Sequence, residues 1–145
     1  MHILKRFRTP LMLAAALAAG WLVRDHSARA AAANRVFELR TYTAAEGKLP
    51  ALEARFRNHT VKLFQKHGMT NIGYWTPSEG PLKGNTLIYL LAHKDKESRE
   101  KSFAAFRADP AWLEARKASE AAAGGSLTTK TESVLLEPAD YSPMK

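Results

Sequence analysis

Hydrophobic and polar positions change period in a regular order along the chain after residue 34. Residues 36–43 alternate and are rich in β-branched and aromatic side chains, which predicts a strand. Apolar side chains then recur at helical spacing across residues 49–68, at Leu49, Leu52, Phe56 and Leu63. Four further patterns follow in the order strand, strand, helix, strand, over residues 70–77, 85–94, 96–123 and 127–138.

The resulting order, β-α-β-β-α-β, is that of the ferredoxin-like split βαβ unit, an α+β fold with one four-stranded sheet. Helices in this arrangement cover only one face of the sheet, so the opposite face is either solvated or buried against another surface. We therefore expect one α+β domain with an open sheet face, and that face bears directly on what the protein binds.

Side chains alternate along strands, so each strand divides its residues between the two faces of the sheet. In the first strand, the more apolar set is expected to pack under the helices: Phe37, Leu39 and Thr41. That assignment leaves on the open face Glu38, Arg40 and Tyr42, joined from the third strand by Leu87, Tyr89, Leu91 and His93. Because a large exposed apolar patch usually marks an interface, we expect two such sheets to pack face to face as a homodimer.

The first 32 residues have the pattern of a leader. They start with basic residues, continue with an apolar run over 11–23 and end in the small-residue pattern Ala28-Arg29-Ala30, which is typical of a secretory signal peptide. The run is shorter than the roughly 20 apolar residues that a membrane helix needs, so cleavage after Ala30 or Ala32 should leave no membrane anchor. The alternative is an Arg-rich mitochondrial presequence, but such segments are amphipathic and this one has an unbroken apolar centre. We expect residues 1–32 to be removed and residues 33–145 to form one periplasmic or secreted domain.

Charge and cysteine content narrow the function classes. The formal net charge is +8, from 22 basic and 14 acidic residues, but five of the basic and one of the acidic residues lie in the leader. The remaining chain has no run of lysine and arginine and no nucleic-acid-binding motif, so a nucleic-acid partner is not expected. The chain has no cysteine, which excludes a disulfide, a thiolate nucleophile and a sulfur ligand for a metal.

Several short segments match one protein family in the same order along the chain. These segments are VFELRTYT, KHG, IGYW, LIYLLAHKD, AFRADPAWLEARKASE and YSP, and together they closely resemble the NIPSNAP domain family over residues 35–143. The resemblance implies the dimeric α/β-barrel fold. It implies no particular reaction, because bacterial members mostly lack an assigned one. Related barrel families include cofactor-independent monooxygenases, haem-binding peroxidases and haem-degrading enzymes, and a shared fold does not transfer function.

Three residues are candidates for catalysis. Glu38 and Arg40 lie two apart on one strand face, so they form either a structural ion pair or a site in which Arg40 holds a carboxylate while Glu38 moves a proton. His59 falls on the apolar stripe between Phe56 and Leu63 and is expected to face the sheet. There it is either a histidine hydrogen-bonded in the core or a general base or haem ligand.

Candidates for ligand binding are the aromatic residues Tyr42, Tyr89 and Trp75. Tyr74 and Trp75 point to opposite faces, so only one of them can line an open-face cavity. No spacing typical of metal ligands occurs, so neither a metal nor a tightly bound cofactor is expected, with haem on His59 as the alternative.

Two hypotheses of function remain. In the first, the barrel binds or transforms a small hydrophobic molecule in its cavity. In the second, it is a non-catalytic binding or scaffold module whose barrel is filled by its own side chains. A cavity of about 300 Å³ or more would favour the first hypothesis, because ligand sites usually start near that size.

Overall fold

The computed structural model describes residues 35–145, which form a four-stranded antiparallel sheet with helices packed on one face. The strands are β1 (Val36–Ala44), β2 (Thr70–Trp75), β3 (Thr86–His93) and β4 (Thr128–Leu136). Their spatial order is β2-β3-β1-β4, and every neighbouring pair is antiparallel. This is the ferredoxin-like arrangement, so the predicted α+β fold class is confirmed. The predicted leader lies outside the described residues.

The helices occupy the two places that the pattern predicted. The first helical segment has three parts: α1 (Leu49–Arg55), a π-helical turn (Phe56–Thr60) and α2 (Val61–Lys66). The second consists of α3 (Lys96–Ala108) and α4 (Pro110–Ala122). No helix within residues 35–145 is long and apolar enough to cross a membrane.

Aspartate side chains begin both helices of the second segment. Asp95 accepts a hydrogen bond from the Ser98 backbone N–H at 2.7 Å, and Asp109 accepts one from the Ala111 N–H at 2.9 Å. Oδ2 of Asp109 also accepts hydrogen bonds from Nζ of Lys66 and Nε2 of His67, each at 2.7 Å. Hydrogen bonds from Lys66 and His67 hold the pKa of Asp109 well below its ordinary range. Asp109 thus ties the end of α2 to the start of α4.

The π-helical turn shifts the buried face of the first helical segment by one residue. The buried side of this segment includes Leu52, Phe56, Thr60 and Phe64, whereas the expected stripe passed through His59 and Leu63. A π-helical turn holds more residues than an α-helical turn, and the Thr60 hydroxyl donates to the Arg55 carbonyl five residues earlier at 3.3 Å. The prediction that His59 faces the sheet is therefore wrong, because the wider turn rotates His59 to the exposed outer side.

The two faces of the sheet are the reverse of the predicted assignment. Tyr89 and Leu91 are fully buried in the core under the helices, and the register pairs Leu91 with Glu38 and Tyr89 with Arg40. The opposite face, which we call the open sheet face, carries the set that was expected in the core: Phe37, Leu39, Thr41, Ile88, Leu90 and Ala92, with Val134 and Leu136 from β4. The prediction of an open face built from Glu38, Arg40, Tyr42, Leu87, Tyr89, Leu91 and His93 is wrong.

Aromatic packing explains why the more polar set lies under the helices. The Tyr89 ring lies 5.1 Å from the Phe56 ring and 5.3 Å from the Tyr42 ring, both edge to face. The rings of Tyr42, Phe56 and Tyr89 fill the space between the sheet and the helices, whereas the open sheet face carries mainly aliphatic side chains beside Phe37 and Trp75. Because both faces are largely apolar, hydrophobicity alone did not distinguish them.

Tyr74 and Trp75 lie on opposite faces, as expected from strand alternation. Tyr74 stacks on Tyr89 in the core with 5.4 Å between ring centroids. Trp75 pairs in register with Ile88 and is 52% exposed. Its indole lies against Gly73, where a Cβ would come within 2.5 Å of the ring. Trp75 is therefore the residue that lies on the open sheet face.

Candidate functional site

A buried carboxylate lies at the centre of the helix side of the sheet. Glu38 is fully buried. It accepts two hydrogen bonds from Arg99 of α3, both at 2.8 Å, and one from Nη1 of Arg40 at 2.6 Å. The Ser133 hydroxyl of β4 donates to the same carboxylate at 2.6 Å, and Nε2 of His93 lies 3.2 Å away. We call these five residues the Glu38 cluster.

The partners of Glu38 keep its carboxylate ionised. Burial alone would raise its pKa, but the contacts with His93, Arg99 and Ser133 and the charge of Arg40 outweigh burial and hold the pKa well below its ordinary range. A carboxylate with so low a pKa is a weak base near neutral pH. The geometry therefore favours the structural ion pair over the proton carrier for Glu38. His93, expected on the open sheet face, is buried inside the cluster.

Arg40 connects the Glu38 cluster to a cavity between the sheet and the helices. Its Nη2 donates to the Tyr42 hydroxyl at 3.2 Å, and its guanidinium carbon lies 4.9 Å from the centroid of the Phe103 ring. Its Nε is buried and has no hydrogen-bond partner among the described residues. Arg40 is thus held from behind by Glu38 and faces the cavity in front.

This sheet–helix cavity has a volume of about 370 Å³. Its apolar wall is aromatic and consists of Tyr42, Phe56, Phe64, Phe103, Phe106 and Trp112. Its polar lining consists of Arg40, Arg55, Arg107, Arg116, Glu120, Thr60, Thr128 and Thr131. Four arginines against one glutamate give the lining a positive balance, so the cavity combines an aromatic wall with basic groups.

Arg55 is the most deeply buried of the four arginines in this lining, and its charge is only loosely paired. Its side chain is only 5% exposed, and its guanidinium lies 5.2 Å from the Trp112 ring centroid. Nη1 lies 3.6 Å from Oε1 of Glu120, which is too long for a hydrogen bond. Neither Nε nor Nη1 has a hydrogen-bond partner among the described residues, and burial lowers the pKa of Arg55.

The structure brings some of the predicted site residues together and separates others. Arg40 and Tyr42 line the sheet–helix cavity, and Glu38 and Tyr89 lie buried behind that lining. The Tyr89 hydroxyl has no hydrogen-bond partner within residues 35–145, and burial raises its pKa. Four of the six candidates therefore lie in or beside one site, under the helices.

His59 and Trp75 do not belong to that site. His59 lines an exposed groove between α1 and α4, beside Asn58 and Ala118, and Trp75 lies on the open sheet face. No histidine lines the sheet–helix cavity, so its lining offers no imidazole as an axial ligand for haem iron. Within residues 35–145, no group of three or more His, Asp or Glu side chains is placed to hold a metal ion.

Sequence reasoning missed the arginines that the helices supply. Arg55 directly precedes Phe56 and lies three residues after Leu52, so its position on the buried side was readable from the helical spacing. Phe103, Phe106 and Trp112 of the second helical segment also line the cavity. Arg107 and Arg116 join them only through the angle between α3 and α4, which no local pattern signals.

Comparisons with known proteins identify the family and the fold. The NIPSNAP family model matches residues 37–143. No curated protein matches the chain. The predicted family is thereby confirmed.

Solved structures agree with this result. A NIPSNAP family protein of unknown function from Agrobacterium tumefaciens is 24% identical, with 78% of this chain and 96% of that chain covered and a TM-score of 0.67. An uncharacterised NIPSNAP domain protein from Burkholderia xenovorans is 25% identical over 74% of this chain and 98% of that chain, with a TM-score of 0.62. SnoaB, a cofactor-independent oxygenase from Streptomyces nogalater, is 19% identical over 77% and 99% of the two chains, with a TM-score of 0.52. This last likeness concerns the fold alone.

The Glu38 cluster predicts a large loss of stability on neutralising Glu38. Glu38→Gln keeps the shape of the side chain but leaves Arg40 and Arg99 without their shared carboxylate. The free energy of unfolding at pH 7 should fall by about 3–5 kcal/mol, as is usual when one partner of a buried ion pair is removed. Denaturant titration measures this change. Glu100→Gln is the control, since exposed Glu100 also pairs with Arg99 and should change stability by about 1 kcal/mol or less.

The effect of Glu38→Gln should also depend on pH. The folded-state pKa of Glu38 is lowered, so its contribution to stability is complete above its unfolded pKa of about 4.3 and is lost as the pH falls through the folded pKa. The stability gap between the wild type and Glu38→Gln should therefore narrow as the pH is lowered from about 5 to about 3. A gap that stays constant over that range would contradict the ion cluster.

Proposed function

Because this chain belongs to the NIPSNAP family, whose model spans residues 37–143, we propose a function for it that rests on its own cavity. The proposal is that the protein binds a small hydrophobic molecule in the sheet–helix cavity and works as an exported homodimer. The observation that carries it is a cavity of about 370 Å³ with six aromatic residues in its lining.

The size and chemistry of the cavity support a ligand site. Ligand pockets usually start at about 300 Å³ and combine an apolar lining with a few polar groups that fix orientation. The cavity meets both conditions, because its aromatic wall is joined by arginine and threonine side chains. The competing hypothesis of a barrel filled by its own side chains concerns the space between two open sheet faces, and the sheet–helix cavity lies on the other side of the sheet.

The same geometry supports binding more directly than catalysis. Glu38 accepts hydrogen bonds from two arginines and a serine, so its carboxylate is committed to the fold. Arg40 and Tyr42 can orient a bound molecule, but no cavity residue forms a nucleophile and base pair of the kind that activates a hydroxyl or thiol. Binding without an assigned reaction is therefore the function proposed here.

A neutral aromatic probe tests this function. The mature chain should bind naphthalene carboxamide with one molecule per chain in isothermal titration calorimetry, because the ring matches the aromatic wall. Thr131 of β4 lies opposite Tyr42 at the cavity, so Thr131→Trp should weaken binding by about tenfold or more by filling the space. Thr131→Ser is the control and should bind like the wild type. Equal binding by the two variants, or no binding by the wild type, would refute the proposal.

The homodimer is proposed to form through the open sheet face. Leu39, Ile88 and Leu90 are partly exposed in the single chain, and Trp75 and Val134 are more than half exposed. A contiguous apolar surface of this kind marks an interface, and the sheet of a second copy offers a surface of the same shape and chemistry. Export is proposed from the leader pattern in residues 1–32, which lie outside the described residues.

Native mass spectrometry of the exported protein tests assembly and processing together. The expected mass is twice that of a chain that begins near Ala33. Leu90→Glu should give a folded monomer, because a carboxylate would be buried among apolar side chains across an interface of about 800 Å² per partner. Leu113→Glu is the matched control, since Leu113 is an exposed leucine on α4, and it should stay dimeric. A dimeric Leu90→Glu variant would show that another surface forms the contact.

A further inference from the structure

The charge in the lining of the sheet–helix cavity is not explained by a neutral ligand. Arg55 is almost completely buried, and two of its nitrogens lack hydrogen-bond partners within residues 35–145. A buried ionic group without such partners is costly for the fold. Its only carboxylate neighbour in the cavity, Glu120, is 3.6 Å away and also accepts a hydrogen bond from Arg116 at 3.1 Å. The fold therefore leaves Arg55 with unused capacity to bind an anion.

Arg40 does not have the same capacity. Two of its nitrogens already donate, one to Glu38 and one to the Tyr42 hydroxyl, and its charge is balanced in part by Glu38. Arg107 and Arg116 lie at the exposed edge of the cavity, where solvent screens their charge. Among the four arginines of the lining, Arg55 is the one that is both buried and unpaired by hydrogen bonds.

We propose that the sheet–helix cavity selects an aromatic carboxylate, with Arg55 as the residue that binds its carboxyl group and the aromatic wall as the surface that binds its ring. This inference rests on the proposed function and specifies the class of ligand. The planar guanidinium matches a carboxylate in shape and in hydrogen-bonding geometry. The guanidinium carbon of Arg55 lies 5.2 Å from the Trp112 ring centroid, which places the charge beside the aromatic wall.

Glu120 lies beside the position that the ligand carboxylate would take next to Arg55. Its Oε1 approaches Arg55 without reaching hydrogen-bond distance. A ligand carboxylate that enters the cavity would come closer to Arg55 and would be repelled by Glu120. Glu120 therefore lowers the affinity for an anion, and its removal should raise that affinity.

A pair of probes that differ only in charge tests the inference. Naphthalene carboxylate and naphthalene carboxamide share the ring and nearly the same shape. The wild type should bind the carboxylate about tenfold or more tightly than the carboxamide, because hydrogen bonds to charged groups are the stronger ones. Tight carboxamide binding with no preference for the carboxylate would overturn this inference and leave the proposed function standing. Failure of both probes to bind would overturn both.

Variants of the arginines separate direct contact from general charge. Arg55→Met should bring the affinities of the two probes within about threefold of each other while carboxamide binding persists. Arg116→Met removes the same charge from the exposed edge and should reduce the preference by less than about threefold. An equal loss of the carboxylate preference in the two variants would overturn the role of Arg55. It would show that the summed charge of the lining selects the carboxylate, and not direct contact with Arg55.

Glu120→Gln provides a second test that does not require the fold to tolerate a change at buried Arg55. This variant should bind naphthalene carboxylate about threefold to tenfold more tightly than the wild type, with carboxamide affinity unchanged. Unchanged or weaker carboxylate binding in Glu120→Gln would contradict the assignment of Arg55 as the anion-binding residue.

Discussion

The fold on the helix side of the sheet depends on one buried charge, the carboxylate of Glu38. A charge in this position must be paired and hydrogen-bonded, and its partners come from four elements: Arg40 on β1, His93 on β3, Ser133 on β4 and Arg99 on α3. The cluster therefore links the central strand to both of its neighbours and to a helix. It also fixes Arg40 so that the guanidinium faces the cavity.

A second constraint, the π-helical turn at Phe56–Thr60, shapes the opposite wall of the cavity. The turn brings Phe56, Thr60 and Phe64 into line on the buried side, and Arg55 precedes it. π-Helical turns within α-helices frequently occur at functional sites, and here the turn separates cavity residues from exposed His59. Sheet and helix thus contribute differently to the site. The sheet supplies Arg40, which donates to Glu38 and Tyr42, and the helix supplies Arg55, whose Nε and Nη1 have no hydrogen-bond partner within residues 35–145.

The order of elements, the fold class and the family were predictable from the sequence, because hydrophobic period and turn residues are local signals. The sequence did not predict which strand residues lie under the helices, since both the Phe37–Leu39 set and the Tyr89–Leu91 set are apolar enough to be buried. What distinguishes them is long-range: Glu38 pairs with Arg99 and Ser133, which lie 61 and 95 residues away along the chain, and Tyr89 packs against Phe56 under the helices. The prediction that His59 faces the sheet was wrong for a related reason, because an α-helical period does not include the extra residue of a π-helical turn.

The buried carboxylate of Glu38 is an ionised anchor of the fold at neutral pH. Carbon-13 NMR of the side-chain carboxyl of Glu38, followed as the pH is lowered, tests that claim directly, with Glu38→Gln used to assign the signal. The signal should stay at the position of an ionised carboxylate well below the ordinary glutamate pKa of about 4.3. A titration midpoint at or above that value would contradict it, and Glu38 would then be available as a proton carrier.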